Sequence, residues 1–299
     1  MEYFLQQLIN GLTIGGIYAL IALGYTMVYG ILKLINFAHG DLAVLGAYVG
    51  LTTLSTALGR TPKALAVLLA FLVAVVAIGI AGVLLERIAY RPLRRAPRLS
   101  AVVSALGASM LIENGIMLTW GPQIQIFPSG LLPSLSFHFF GAVLSLTQLL
   151  IIAISLLLML GLYLYIYRSR LGTAIRAAAI DREAASLMGI NVNRIISWVF
   201  WLGPALGAFG GLFIGLYYRE IYFNMGWIYG LNAFIAAIIG GIGNIPGAML
   251  GGLLLGIFNA MAAGYLSSSW QEAITFALLI LILLVRPTGI LGERVAEKV

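Results

Sequence analysis

Stretches of 30, 22, 54, 24 and 51 residues carry no charge at all, at 3–32, 64–85, 114–167, 195–218 and 221–271. Each can supply the roughly 20 apolar residues with which a helix crosses the hydrocarbon core of a bilayer. Lipid offers no partner to backbone N–H and C=O groups, so unalternating apolar runs of this length close their hydrogen bonds within themselves, as helices. The chain is 62% apolar and 9% charged, against about 45–50% and about 25% in an ordinary soluble domain. A soluble globular protein is thereby excluded. The expected fold class is all-α, a polytopic transmembrane helical bundle of about eight spans, give or take one or two.

Charge gaps and helix breakers together place spans near 5–28, 35–58, 64–85, 100–119, 146–167, 195–217 and 270–285. The stretch 230–263 is cut at 240–247 by GGIGNIPG, a cluster that cannot continue a helix. A second break is expected near 36–41. Broken or re-entrant helices at membrane depth persist only where protein or a water-filled cavity satisfies the freed backbone. The amino terminus lacks a basic region and a small-residue cleavage site, and reads as a retained first span.

The net charge of +7 would suggest nucleic acid in a soluble domain, but here the basic residues first need placing relative to the membrane. With loops 30–36, 86–99, 168–194, 240–247 and the tail from 286 in the cytoplasm, 14 of the 17 Lys and Arg residues lie inside, leaving Arg60, Lys63 and Arg219 outside. That distribution explains the basic excess without nucleic acid. The uncharged connection near 120–145, rich in Pro, Ser and aromatic residues, is expected to sit at or dip into the outer interface.

The residue inventory argues against catalysis. There are two histidines, His39 and His138, and no cysteine. No HExxH or paired-carboxylate spacing is present to hold a metal or run acid–base chemistry. None of the lysines 33, 63 and 298 stands in a phosphate-loop context. No cofactor or metal is expected, and if ATP drives this protein another chain binds it. Intramembrane acids, the usual relays of an ion-coupled carrier, are few. Glu113 is read as snorkelling to the outer interface, and Asp41 as lying at a helix break.

Small residues recur at Gly203, Gly207, Gly211 and Gly215, a row expected to let helix backbones approach closely. In the basic loop, residues 171–194 read as one short amphipathic helix with Thr173 as N-cap and Gly189 as its stop. Leu171, Ile175, Leu187 and Met188 supply apolar contacts at its ends, and Arg176, Asp181, Arg182 and Glu183 supply charge. Either a partner protein docks on it or it is a solvated loop helix.

EAASLMG at 183–189, with Glu183, Ala184, Ala185 and Gly189, resembles the E-A-A-x-x-x-G loop of ATP-binding-cassette (ABC) importer membrane subunits, which inserts into a groove of the nucleotide-binding subunit. Four further blocks resemble the branched-chain amino acid permease family, LivH-type subunits. They are GGIYALIALGYTMVYGILKLINFAHGDLAVLGAY from 15, ERIAYRPLR from 86, AAIIGGIGNIPGAMLGGLLLGI from 236 and LLVRPTGILG from 283.

The resemblance implies a single transmembrane permease domain over 1–299 in the bacterial inner membrane, with an ATPase-docking loop at about 168–194. It also implies a second, LivM-like permease subunit, two cytoplasmic ATPase subunits and a periplasmic branched-chain amino acid binding protein as partners, with leucine, isoleucine and valine as cargo. An ion-coupled secondary carrier, or the same machine carrying urea or short amides, are the alternatives.

A path for zwitterions with apolar side chains needs weak partners for both charges, which half-helix ends supply. The breaks at Asn36–Asp41, including His39, and at Gly240–Gly247, including Gly241, Gly243, Asn244 and Pro246, are therefore expected to line it. Asn36 or Asn244 is expected to cap an exposed end. The competing expectation is that both breaks are packing elements related by an internal repeat.

Overall fold

The computed structural model describes residues 1–94 and 96–292. Arg95, Arg294 and Lys298, three of the basic residues counted toward the cytoplasmic face, lie outside the described residues. Among the described residues nine apolar helices run in the order α1 (Glu2–Leu32), α2 (His39–Ala57), α3 (Lys63–Leu85), α4 (Arg98–Trp120), α5 (Leu146–Arg168), α8 (Val192–Tyr218), α9 (Met225–Gly240), α10 (Ile245–Tyr265) and α11 (Trp270–Val285). Two short helices, α6 (Arg170–Ile180) and α7 (Arg182–Leu187), connect α5 to α8. Six of the described helices are long and apolar enough to cross a bilayer alone, α3 being extended through a π-helical turn to Tyr90. Helices α2, α9 and α11 have 19, 16 and 16 residues.

The expected span 35–58 begins late, at His39. Lys33 adopts a left-handed φ of 54° and ends α1, and residues 33–38 form a non-helical link that leads back into the protein. The uncharged connection after α4 holds a short strand, β1 (Gln125–Ile126), and the hairpin β2 (Ser136–Phe139) with β3 (Ala142–Ser145). Strand β1 pairs antiparallel with β4 (Glu220–Ile221), which follows α8. Ser145 then starts α5 with a capping box, its hydroxyl accepting from Gln148 N–H while the Gln148 side chain accepts from Ser145 N–H.

Hydrogen bonds remote in sequence define the two ends of the bundle. At one, Tyr3 donates to the Gly264 carbonyl, Gln6 pairs with Val143, and Lys63 donates to the Gly130 carbonyl. At the other, Arg182 donates to the Leu32 carbonyl, Tyr90 to Asn36 and Arg94 to Asn193. The second end gathers the loops around Lys33, Arg91 and Arg182 and is the basic end.

Helix α1 is the axis, buried almost throughout from Gly11 onward although its mean hydropathy is lower than that of the more exposed helices α3 and α5. In lipid, apolarity alone does not bring helices together; close backbone packing does. A Cβ added at Gly15 would lie 2.9 Å from the Leu253 Cα, and one at Gly256 would lie 2.2 Å from the Gly15 nitrogen, so α1 and α10 meet backbone to backbone. The α8 glycine row packs on three different neighbours: Gly203 on Gly24 of α1, Gly207 and Gly211 on Ala43 of α2, and Gly215 on the Phe127 ring. Pro204 lies inside α8 and removes the N–H that would satisfy the Phe200 carbonyl. That oxygen faces Gly82 of α3, which has no side chain to obstruct it.

Candidate translocation path and coupling loop

Helix α2 starts inside the bundle. Ser109, the midpoint of α4, donates from its hydroxyl to the Asp41 carboxylate, which places the first turn of α2 near the middle of the bundle's depth. His39 is fully buried between α1 and α8, and its Nε2 donates to the Ile21 carbonyl at 3.1 Å. The ring fits because Gly24 and Gly207 border it; a Cβ at Gly24 would sit 2.2 Å from Nε2. Tyr25 meets the imidazole edge-on, with ring centroids 4.7 Å apart.

The amino terminus of α9 abuts that of α2. Gly226 and Gly230 of α9 lie against Gly40 and Asp41 so closely that a Cβ on Gly40 would be 2.2 Å from the Gly226 carbonyl oxygen. Neither Ala38 nor Asn224, the N-cap residues of α2 and α9, caps its helix with a side-chain hydrogen bond among the described residues. Two helix N-termini, each carrying the partial positive charge of a helix dipole, thus meet beside the Asp41 carboxylate. Glu113, read from the sequence as an interfacial acid, is half-buried one turn beyond Ser109 on α4 and within electrostatic range of Asp41. Beside this junction Tyr25, Phe37, Gly226, Gly230 and Phe234 line a cavity of about 20 Å³, on the order of a single water.

The carboxyl end of α9 is the second break. Gly240 ends the helix, Gly241 and Gly243 have φ of 110° and 96°, and Asn244 caps α10 by accepting from Gly247 N–H at 2.9 Å. Pro246 occupies the first turn of α10, where its missing N–H costs nothing. The Asn244 amide donates to the Leu291 carbonyl, and Leu291 N–H donates to the Gly240 carbonyl, so the RPTGILG segment after α11 covers this turn. Gly243 lies against Gly30, in the last turns of α1. The expected path residues therefore form two groups, one at each end of α9: His39 and Asp41 at its start, and Gly240, Gly241, Gly243, Asn244 and Pro246 at the basic end, with Asn36 on the link that runs from the basic end to α2.

The loop expected to be one helix over 171–194 is two. Ser169, not Thr173, caps α6, accepting from Gly172 N–H, and Thr173 lies in the first turn. Asp181 adopts an extended φ of −150°, breaks the helix, and caps α7 by accepting from Glu183 and Ala184 N–H. An Asp competes with helical hydrogen bonding through its own side chain, the local signal that marks this break. Arg176 folds back over the Tyr167 ring and donates to the Ile166 carbonyl. Glu183 and Ala184 are exposed, Ala185 is buried, and Gly189 stops the segment with φ of 83°. Ile180, Leu187 and Met188 are 88%, 89% and 82% exposed at this end.

Sequence reasoning did not single out Glu86 and Tyr90 as site residues. Glu86 is fully buried and is bonded by Arg91, by Arg94 and by the Ser197 hydroxyl of α8. The hydrogen bonds to Glu86 hold the Arg91 guanidinium above its usual pKa, whereas burial is the main cause lowering that of Arg94. An acid followed by arginines at +5 and +8 in ERIAYRPLR was the available signal.

A sequence profile of the branched-chain amino acid transport system permease component matches residues 7–283. The chain belongs to that family. The permease is 46% identical to the high-affinity branched-chain amino acid transport system permease protein BraD of Pseudomonas aeruginosa, over 99% of this chain and 98% of the relative. It is 45% identical to the corresponding protein LivH of Escherichia coli K12, with the same coverage. In fold it is similar to PsaBC from Streptococcus pneumoniae, solved in complex with Fab, with a TM-score of 0.51, 12% identity and coverage of 96% of this chain and 93% of that one. The permease is thus a multi-pass helical membrane protein of a transport family.

Proposed function

We propose that this permease is the membrane-spanning subunit of an ABC importer that passes leucine, isoleucine and valine across the bacterial inner membrane, with ATP hydrolysed on separate subunits. The observation that carries the reading is near-full-length identity of about 45% to BraD and LivH. The basic end faces the cytoplasm, as the positive-inside rule requires. Helices α6 and α7 are the ATPase-coupling loop: Ile180, Leu187 and Met188 are apolar side chains exposed at the aqueous end, a surface that calls for a protein partner, and Glu183 and Ala184 lie among them. Arg176, Asp181, Ala185 and Gly189 shape that loop. A LivM-like second permease subunit, two ATPases and a periplasmic binding protein complete the assembly.

The path runs beside α9. At mid-depth the converging N-termini of α2 and α9 suit a substrate carboxylate, Asp41 suits the ammonium, and His39 and Asn36 hold the break in shape. At the inner end the turn from Gly240 through Gly241, Gly243 and Asn244 to Pro246 forms the rim. The test is uptake of radiolabelled leucine by the assembled complex in proteoliposomes. Competition by unlabelled leucine, isoleucine and valine, and none by urea, is the expected result; competition by urea alone would overturn the substrate assignment.

A further inference from the structure

Both ends of the break between α1 and α2 are held by the chain that flanks the coupling loop. On the near side, Arg182, the first residue of α7, donates through Nη2 to the Leu32 carbonyl at 3.1 Å, at the last residue of α1. Lys33, next in sequence, has its pKa lowered by burial and by the neighbouring Arg182 charge, so the loop's arginine sits against the α1 terminus. On the far side the connection is longer but continuous. Asn193 and Ser197 lie in the first turns of α8, directly after the loop, and bind Arg94 and Glu86. Arg91 bonds both Glu86 and Ser197. Four residues beyond Glu86, the Tyr90 hydroxyl donates to Asn36 Oδ1 at 2.9 Å, and its ring packs on Phe200 of α8 at a centroid distance of 5.3 Å.

Tyr90 and Asn36 are each 1% exposed, and no second hydrogen bond fixes the Asn36 side chain: its amide nitrogen has no partner among the described residues. Three residues later His39 opens α2, reached through the Asn36 carbonyl, which accepts from His39 N–H. A displacement of the loop therefore reaches the first turn of α2 by two routes, pushing on Leu32 and pulling on Asn36. Glu86 is fully buried and ties Arg91, Arg94 and Ser197 together, so a shift of α8 is passed to the turn that carries Tyr90.

We propose that Tyr90 is a positioning residue that couples the cytoplasmic loop to the broken helix, its hydroxyl acting on Asn36 to move the start of α2 when the ATPases close. The inference rests on the ABC-importer reading above and adds to it the route by which motion reaches the substrate path. A Tyr that only filled space would serve equally well as Phe, since the ring contact with Phe200 is kept.

The test uses the complete complex of permease subunits, ATPases and binding protein in proteoliposomes, with leucine uptake and binding-protein-stimulated ATP hydrolysis measured together. The wild-type complex checks the functional reading by itself: no leucine uptake there would reject that reading, not this one. In Tyr90→Phe the leucine moved per ATP should fall about tenfold while ATP hydrolysis stays within about twofold. Asn36→Ala should uncouple similarly, and the double variant should be no worse than either single one.

This chain has no native cysteine, so Leu34→Cys provides a second readout. Its maleimide labelling should change on trapping with ATP and vanadate when Tyr90 is present, and stay constant when Leu34→Cys is combined with Tyr90→Phe. An unchanged leucine-to-ATP ratio in Tyr90→Phe would overturn the proposal. So would proportional loss of uptake and hydrolysis, or failure of the variant to assemble, since each marks a merely structural role.

Discussion

Asp41 of α2 and Gly226 of α9 meet so closely that a Cβ added at Gly226 would lie 2.2 Å from Asp41 Oδ1 and 2.9 Å from the Asp41 Cα. The carboxylate is held on its other oxygen by Ser109 of α4, so three helices converge on one buried acid.

Gly226→Ala tests that junction. The new methyl meets backbone as well as the carboxylate, so α2 and α9 must separate, at a cost of about 1–3 kcal/mol for overpacking. Leucine uptake by the assembled complex should drop at least tenfold while the amount of permease in the membrane, followed by immunoblot, stays within twofold. Uptake equal to wild type would show that the contact is not needed for transport.

Asp41→Asn keeps the shape and the Ser109 contact but removes the charge. If Asp41 receives the substrate ammonium, uptake at subsaturating leucine should fall by about tenfold or more, the value of losing ~1.5–3 kcal/mol from a charge-assisted hydrogen bond. The check is an uptake titration with leucine, in which apparent affinity should weaken rather than the maximal rate alone.

Glu86→Gln should act on stability rather than on affinity. It leaves Arg91 and Arg94 without their counter-charge, and because the Arg91 side chain is 38% exposed and that of Arg94 14%, water compensates part of the loss and the cost is about 1–3 kcal/mol. Thermal unfolding of the detergent-solubilised complex, followed by intrinsic fluorescence, should shift downward by several degrees. Glu183→Gln, at an exposed site in α7, should leave that transition in place while reducing uptake.

Gly189→Ala probes the end of the coupling loop. Its φ of 83° disfavours a Cβ although nothing among the described residues lies within 4 Å, so the cost is confined to backbone conformation, about 1–2 kcal/mol. Binding-protein-stimulated ATP hydrolysis should weaken several-fold, and Gly189→Asn, which tolerates the left-handed region better, should recover part of it.

What could be read from the sequence followed what lipid enforces. Charge gaps and helix breakers together located α3, α4, α5, α8 and α11 within a few residues, because a charge in hydrocarbon is costly and a glycine or proline cluster interrupts a helix. GGIGNIPG announced the turn between α9 and α10, since Gly241 and Gly243 take positive φ and Pro246 stands in the first turn of a helix. The link before His39 was harder to place: Leu34 and Ile35 are as apolar as a span, and the link is marked by the left-handed Lys33 and by the remote bonds from Arg182 to Leu32 and from Tyr90 to Asn36. The split of α6 from α7 turned on the side chain of Asp181, a local competition that an alanine-rich run concealed. The meeting of Asp41 with Gly226 was beyond reach, because 185 residues separate the two and no periodicity reports which N-termini will face each other.

The central claim is that this chain provides the path and other chains the energy. The most direct measurement is leucine accumulation in proteoliposomes holding the permease alone, the permease with its partner subunits, and the full complex without ATP. Accumulation against a gradient only in the full complex supplied with ATP is the predicted result. Concentrative uptake by the permease alone, driven by a proton or sodium gradient, would contradict the account.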